Sequence, residues 1–132
     1  MGKEDIRLVG RIDREIYRCI ETDIATDEVI ITDERIAHIN EKHPGDYEKF
    51  SSYFEDILNH PDYILTGNKP HTAVVLKELQ IEDERAKVVV RLATSTDPCG
   101  YKNSIITFMR INKKRWNRYL RTKAILYKQP SN

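Results

Sequence analysis

The chain is short of several things, and each shortage excludes something. It has two cysteines, Cys19 and Cys99, far apart and in no CxxC pair. Neither a disulfide framework nor a thiolate metal site is therefore expected. Both read as free thiols of a reducing compartment, and a cytoplasmic location is expected. No stretch approaches the ~18 apolar residues of a membrane span. The opening Met1-Gly2-Lys3-Glu4-Asp5 lacks the apolar core of a signal peptide. No membrane partner is expected. Glycine and proline number five each, and no linker, repeat or low-complexity tract is visible. HExxH and paired Cys/His spacings are missing too, so no metal or other cofactor is expected. The 132 residues read as a single domain, 1–132, large enough to bury a core.

Charge of one sign is also missing, from particular places. The net charge of +1 hides a division. Residues 1–66 hold 8 Lys/Arg against 16 Asp/Glu, whereas residues 67–132 hold 14 against 5. Residues 110–128 contain no acid at all, but carry Arg110, Lys113, Lys114, Arg115, Arg118 and Arg121. Such a run attracts phosphate backbones or acidic partners, and those six are the candidate nucleic-acid contacts. The plainer readings are a solvated helix face or one paired with the acidic half.

Periodicity gives the elements. Alternation at Ile6, Leu8, Gly10 and Ile12 predicts a strand, and Ile16, Arg18 and Ile20 extend the pattern to a second short strand or hairpin. Together they make 1–28 an N-terminal extension of short strands. Val29-Ile30-Ile31 predicts another strand. Thr32 or Asp33 then caps a helix running to about His43, where Pro44-Gly45 breaks it. Phe50, Tyr53, Phe54, Ile57 and Leu58 follow the spacing of a buried helical stripe. Strands are predicted at 63–66, 72–79, 86–94 and 103–111, then a basic helix capped by Asn112, then a strand at 124–127. Residues 129–132 form a tail. Consecutive strands with short links imply an antiparallel meander, and the fold class is α+β.

The first long helix holds two of the four histidines, His38 and His43. They point about 140° apart, so they do not share a metal. His43 falls at the end of the buried stripe, and His38 is the better candidate for proton transfer. The strands place polar groups in apolar runs: Lys77, Arg91, Ser104 and Thr107. Buried polar groups need partners, so these line a polar sheet face or a site. Together the pieces fit RNA cleavage by the substrate's own 2′-hydroxyl. A histidine removes the proton, Lys and Arg stabilise charge on the phosphorane, and hydroxyls orient it.

The run Thr32-Asp33-Glu34-Arg35-Ile36-Ala37-His38-Ile39 with Lys42-His43-Pro44 resembles the opening helix of phage-associated members of the BECR superfamily. That superfamily is named for barnase, EndoU-type nucleases, the tRNA-cleaving colicins and RelE-type toxins. Asn59-His60-Pro61-Asp62-Tyr63-Ile64, the Lys77 strand, Val89-Val90-Arg91-Leu92, Asn103-Ser104-Ile105-Ile106-Thr107 and Ile125-Leu126-Tyr127-Lys128 are similar as well. The likeness covers about 29–128, the nuclease-like core. It implies N-terminal helices packed on an antiparallel sheet, and a metal-independent, toxin-like endoribonuclease acting on tRNA or similar RNA. The catalytic set it implies is His38, His43, Lys77, Arg91, Ser104, Thr107 and Tyr127. RNA is the expected partner, with a cognate inhibitor or immunity protein as a second candidate. The alternative is a non-catalytic nucleic-acid-binding or phage-assembly module on the same fold. Convergence decides between them: an enzyme needs His38, Lys77 and Arg91 around one phosphate, and a binding module needs only the basic run.

Overall fold

The computed structural model describes residues 5–80 and 84–130. Part of the polar link between the two long strands (81–83), the first four residues and the last two of the tail lie outside the described residues. The elements run β1 (Ile6–Arg11), α1 (Arg14–Tyr17), β2 (Glu28–Thr32), α2 (Asp33–Lys42), α3 (Asp46–Phe50), α4 (Phe54–Asn59), β3 (Tyr63–Thr66), β4 (Thr72–Glu78), β5 (Arg85–Arg91), β6 (Asn103–Ile111), α5 (Lys113–Thr122) and β7 (Ile125–Lys128). The fold is α+β, with one seven-stranded sheet in the order β1-β2-β6-β5-β4-β3-β7. Strands β3 to β6 form the antiparallel meander. β2 breaks the expected antiparallel rule, because it pairs parallel to β6. Parallel neighbours need a long crossover, and everything between residues 32 and 103 supplies it.

Caps set the helix ends. Thr32 Oγ1 accepts the Arg35 N–H at 3.3 Å, and Asn112 Oδ1 accepts the Arg115 N–H at 2.8 Å. Each satisfies an N–H that the helix start leaves unpaired. Two expectations need correction. Residues 14–17 are helical, not extended. Asp13 caps that turn, and Tyr17 is fully buried with its hydroxyl donating to Leu58 O at 2.6 Å. The stripe from Phe50 to Leu58 spans three pieces, with a 3₁₀ turn at Ser51–Tyr53 between α3 and α4. Serines are weak helix formers, and the tightened turn sits on them. Phe50, Phe54, Ile57 and Leu58 stay buried, and Tyr53 is exposed.

Strand alternation divides the sheet into two faces. On one, Ala73, Val75, Val88, Val90, Ile105 and Phe108 join a cluster with Ile39, Phe50, Phe54, Ile57 and Leu58. On the other, Leu65, Val74, Leu76 and Ile111 close around Trp116 of α5. α5 is short, at 10 residues. It covers only part of its face, and a groove remains beside it.

Candidate active-site groove

The groove has a volume of about 720 Å³. Its floor is the α5 side of the sheet: Thr72 and Val74 of β4, Lys87, Val89 and Arg91 of β5, and Ile106 and Thr107 of β6. Neighbours on a strand normally face opposite ways. Here the β5–β6 register slips between Val89 and Val90, so Val89 pairs with Thr107 and Val90 with Ile105. That bulge lets both Ile106 and Thr107 reach the groove. The walls are Arg35 at the start of α2, the 68–71 turn, and Tyr119 and Lys123 at the end of α5. Among the described residues, five cations line it (Arg35, Lys69, Lys87, Arg91 and Lys123) and no carboxylate does.

Arg91 is the most firmly held of these. Its guanidinium makes two bonds to the Asp97 carboxylate, at 2.7 and 2.9 Å, and another to Leu92 O. It also lies over the Tyr101 ring at 5.4 Å. Arg91, followed by the Thr94 backbone N–H, holds the Asp97 carboxyl far below the usual carboxylate range. Lys87 donates to the Tyr119 hydroxyl at 2.9 Å and sits 5.0 Å from its ring centre. Lys87 and the Tyr119 hydroxyl, with the Asp97-held Arg91 on the same floor as Lys87, suit a phosphate.

The histidine in the groove is His71. It sits in the β3–β4 connection with φ at 60°, the only positive-φ residue other than glycine among the described residues. That conformation is costly for a side chain with a Cβ, and such strain clusters at functional sites. The Leu92 N–H donates to its carbonyl at 2.8 Å. Its ring Nδ1 lies 2.5 Å from Glu21 Oε1, which leaves Nε2 as the other ring nitrogen. Gly67 makes the turn possible, since a Cβ there would meet Thr72 Oγ1 at 2.1 Å and its carbonyl at 2.8 Å.

Of the residues expected from sequence, Arg91 and Thr107 line the groove. Ser104 pairs with Arg91 in register and so shares that face, but it does not line the cavity. Lys77 shares a face with Ala73 and Val75, on the side of the helical cluster, so the sheet separates it from Arg91. Tyr127 pairs with Ile64 and packs on that same cluster. His38 is exposed, one turn beyond Arg35 on α2, and outside the groove lining. His43 ends α2: its N–H donates to Ile39 O at 2.8 Å and its carbonyl accepts from Asp46 N at 3.1 Å. The trio His38, Lys77 and Arg91 is thus not assembled around one point. Arg110 is paired with Asp46 at 3.2 Å and Glu84 at 3.1 Å, so it is tied into the fold. Lys113, Lys114, Arg115, Arg118 and Arg121 are exposed on α5. Among the described residues no three His, Cys, Asp or Glu side chains gather as a metal cluster, and no helix is long and apolar enough to cross a membrane.

The family described as phage-Barnase-EndoU-ColicinE5/D-RelE like nuclease2 has a model that matches residues 4–128. The chain belongs to this nuclease family. No curated protein and no solved structure matches it. Membership supports nucleic acid as the substrate class of the protein. The family match also takes in β1, α1 and the segment carrying Glu21, beyond the 29–128 stretch whose likeness is visible by motif. Motif reading misses His71, its partner Glu21, and Lys87. Lys87 was in reach, as a cation alternating with Arg91 on one strand. His71 follows a turn proline and has no periodicity, and its partner is 50 positions away.

Proposed function

We propose that this nuclease is an endoribonuclease that cleaves RNA, tRNA or a similar RNA included, through its own 2′-hydroxyl and without a metal. The observation that carries this reading is the groove: one strained histidine and five cations, with no carboxylate among the described lining residues, around a space large enough for a phosphate and its sugar. His71 takes the 2′-hydroxyl proton as the 2′-oxygen attacks phosphorus. The P–O5′ bond breaks, leaving a 2′,3′-cyclic phosphate and a 5′-hydroxyl. Tyr119 accepts a hydrogen bond from Lys87, so its own proton is free for the leaving 5′-oxygen. Arg91 and Lys87 face the charge that grows on the phosphorane, and Thr107 orients it. The exposed cations of α5 hold flanking phosphates. A cognate inhibitor that covers the groove is the second expected partner.

Purified protein incubated with total RNA in EDTA should produce 2′,3′-cyclic phosphate ends. His71→Ala should lower the rate by ~10²-fold or more, whereas His38→Ala should retain it. Cleavage that needs added Mg²⁺ overturns the metal-free step. Salt-sensitive RNA binding with no cleavage supports the binding-module alternative.

A further inference from the structure

Glu21 belongs to the segment between α1 and β2, which has no regular secondary structure yet is pinned along its length. Arg14 Nη1 donates to Ile24 O at 3.2 Å, and the Ala25 N–H donates to Ala93 O at 2.8 Å. Asp23 Oδ2 accepts both the Ser95 N–H at 3.1 Å and the Ser95 hydroxyl at 2.6 Å. The Glu21 carboxylate is consequently placed, with a partner on each oxygen: the Asp23 N–H at 3.0 Å on Oε2 and the His71 ring at 2.5 Å on Oε1. Its side chain is 18% exposed, against 38% for His71.

We propose that Glu21 is the positioning residue of this nuclease, holding His71 as the Nδ1–H tautomer so that Nε2 takes the 2′-hydroxyl proton. The inference rests on the reading of the groove as the cleavage site. An ionised carboxylate can only accept a hydrogen bond, so the nitrogen facing it carries the hydrogen. The Asp23 N–H, opposed by burial and then helped by His71, keeps the Glu21 carboxyl below its usual range and therefore ionised. The charged groups among the described lining residues (Arg35, Lys69, Lys87, Arg91 and Lys123) are cations, which favour the substrate phosphate. Glu21 brings a carboxylate into contact with the ring that takes the proton. The bond also braces a positive-φ backbone conformation that is uncommon for a residue with a Cβ.

The test is ring-nitrogen NMR on ¹⁵N-histidine-labelled full-length protein, joined to steady-state kinetics on RNA. In the wild type, neutral His71 should show a protonated Nδ1 and a bare Nε2. Glu21→Ala should move the hydrogen toward Nε2 and lower kcat by ~10²-fold, with KM changed less than about three-fold. Glu21→Asp should recover part of kcat. Glu21→Gln keeps the shape of the segment if Glu21→Ala does not fold, and should lose kcat in the same way. A wild-type His71 with its hydrogen on Nε2, or unchanged kcat and tautomer in the variants while His71→Ala is inactive, overturns the proposal. Full activity in His71→Ala with the tautomer still controlled by Glu21 overturns the groove reading and leaves Glu21's hold on the ring standing.

Discussion

Two residues, one strained and one buried, make opposite contributions to stability. His71 occupies a left-handed conformation worth roughly 1–2 kcal/mol of strain. Glycine would relieve it, but would lose the Glu21 bond and loosen the unfolded chain. Asn103, fully buried at the start of β6, makes three bonds to backbone: it accepts from Ala93 N at 2.7 Å and donates to Thr26 O at 2.8 Å and Glu28 O at 3.0 Å. Removing it strips a partner from the buried Ala93 N–H and from two part-buried carbonyls. In urea unfolding, His71→Gly should change stability by less than about 1 kcal/mol, whereas Asn103→Ala should cost about 3 kcal/mol. Strain accepted at His71 and not at Asn103 fits a residue kept for chemistry beside one kept for structure. Neither distinction is visible in the chain, where an asparagine opens a strand and a histidine follows a proline.

At the level of elements, α5 is read well from sequence. Asn112 caps it, Trp116 is buried as a core residue, and the remaining cations are outside. Its run of charge, however, contains two kinds of residue. Arg110 lies at the end of β6 and neutralises buried Asp46, while Arg115 and Arg118 form no ion pair among the described residues. RNA affinity in the inactive His71→Ala background should fall with salt, with a slope near −0.7 per phosphate neutralised. Arg115→Ala with Arg118→Ala should make that slope shallower by about 1.4. Arg110→Ala should leave the slope alone and lower stability by about 2 kcal/mol, because Asp46 loses its partner in a buried place. A slope that responds to Arg110 and not to the α5 pair would contradict this division. The bulge in β6 works on the same scale: slipping one residue brings Ile106 and Thr107 to one side. Alternation in the sequence offers no sign of it.

The whole molecule explains the charge division. Acids of the first half meet cations of the second at Asp46–Arg110 and Glu28–Lys102. Pairing therefore absorbs part of the basic excess and leaves the groove and α5 positive. Glu28, Glu21 and Asp97 all have carboxyls held below their usual range by these contacts, led by Lys102, the Asp23 N–H and Arg91 respectively. A depressed folded value adds stability that is complete above the unfolded pKa of about 4 and is lost as pH falls through the folded one. Thermal unfolding should thus be level between pH 5 and 7 on account of these groups and drop in stronger acid (about pH 4 and below). Asp97→Asn should remove part of that acid dependence, since the Arg91 pair is among the better buried of the three. A Tm profile unchanged by Asp97→Asn below pH 4 would tell against it.

By itself the sequence determined what depends on near neighbours: the α+β class, most strand and helix positions, the cap at Asn112, the choice of Thr32 or Asp33 at the other long helix, the basic run, and the likeness to phage-associated nucleases. Those features follow from periodicity and short-range bonds, which a linear pattern records. The site itself was decided by the tertiary structure. Alternation says that Lys77 and Arg91 each face one side of a strand, but only pairing register shows that the sides are opposite. His71 meets Glu21, and Arg35 and Lys87 line one groove, because a turn, a pinned segment and a partly covering helix are brought together. Such meetings are long-range consequences of burying apolar faces, and no local spacing encodes them.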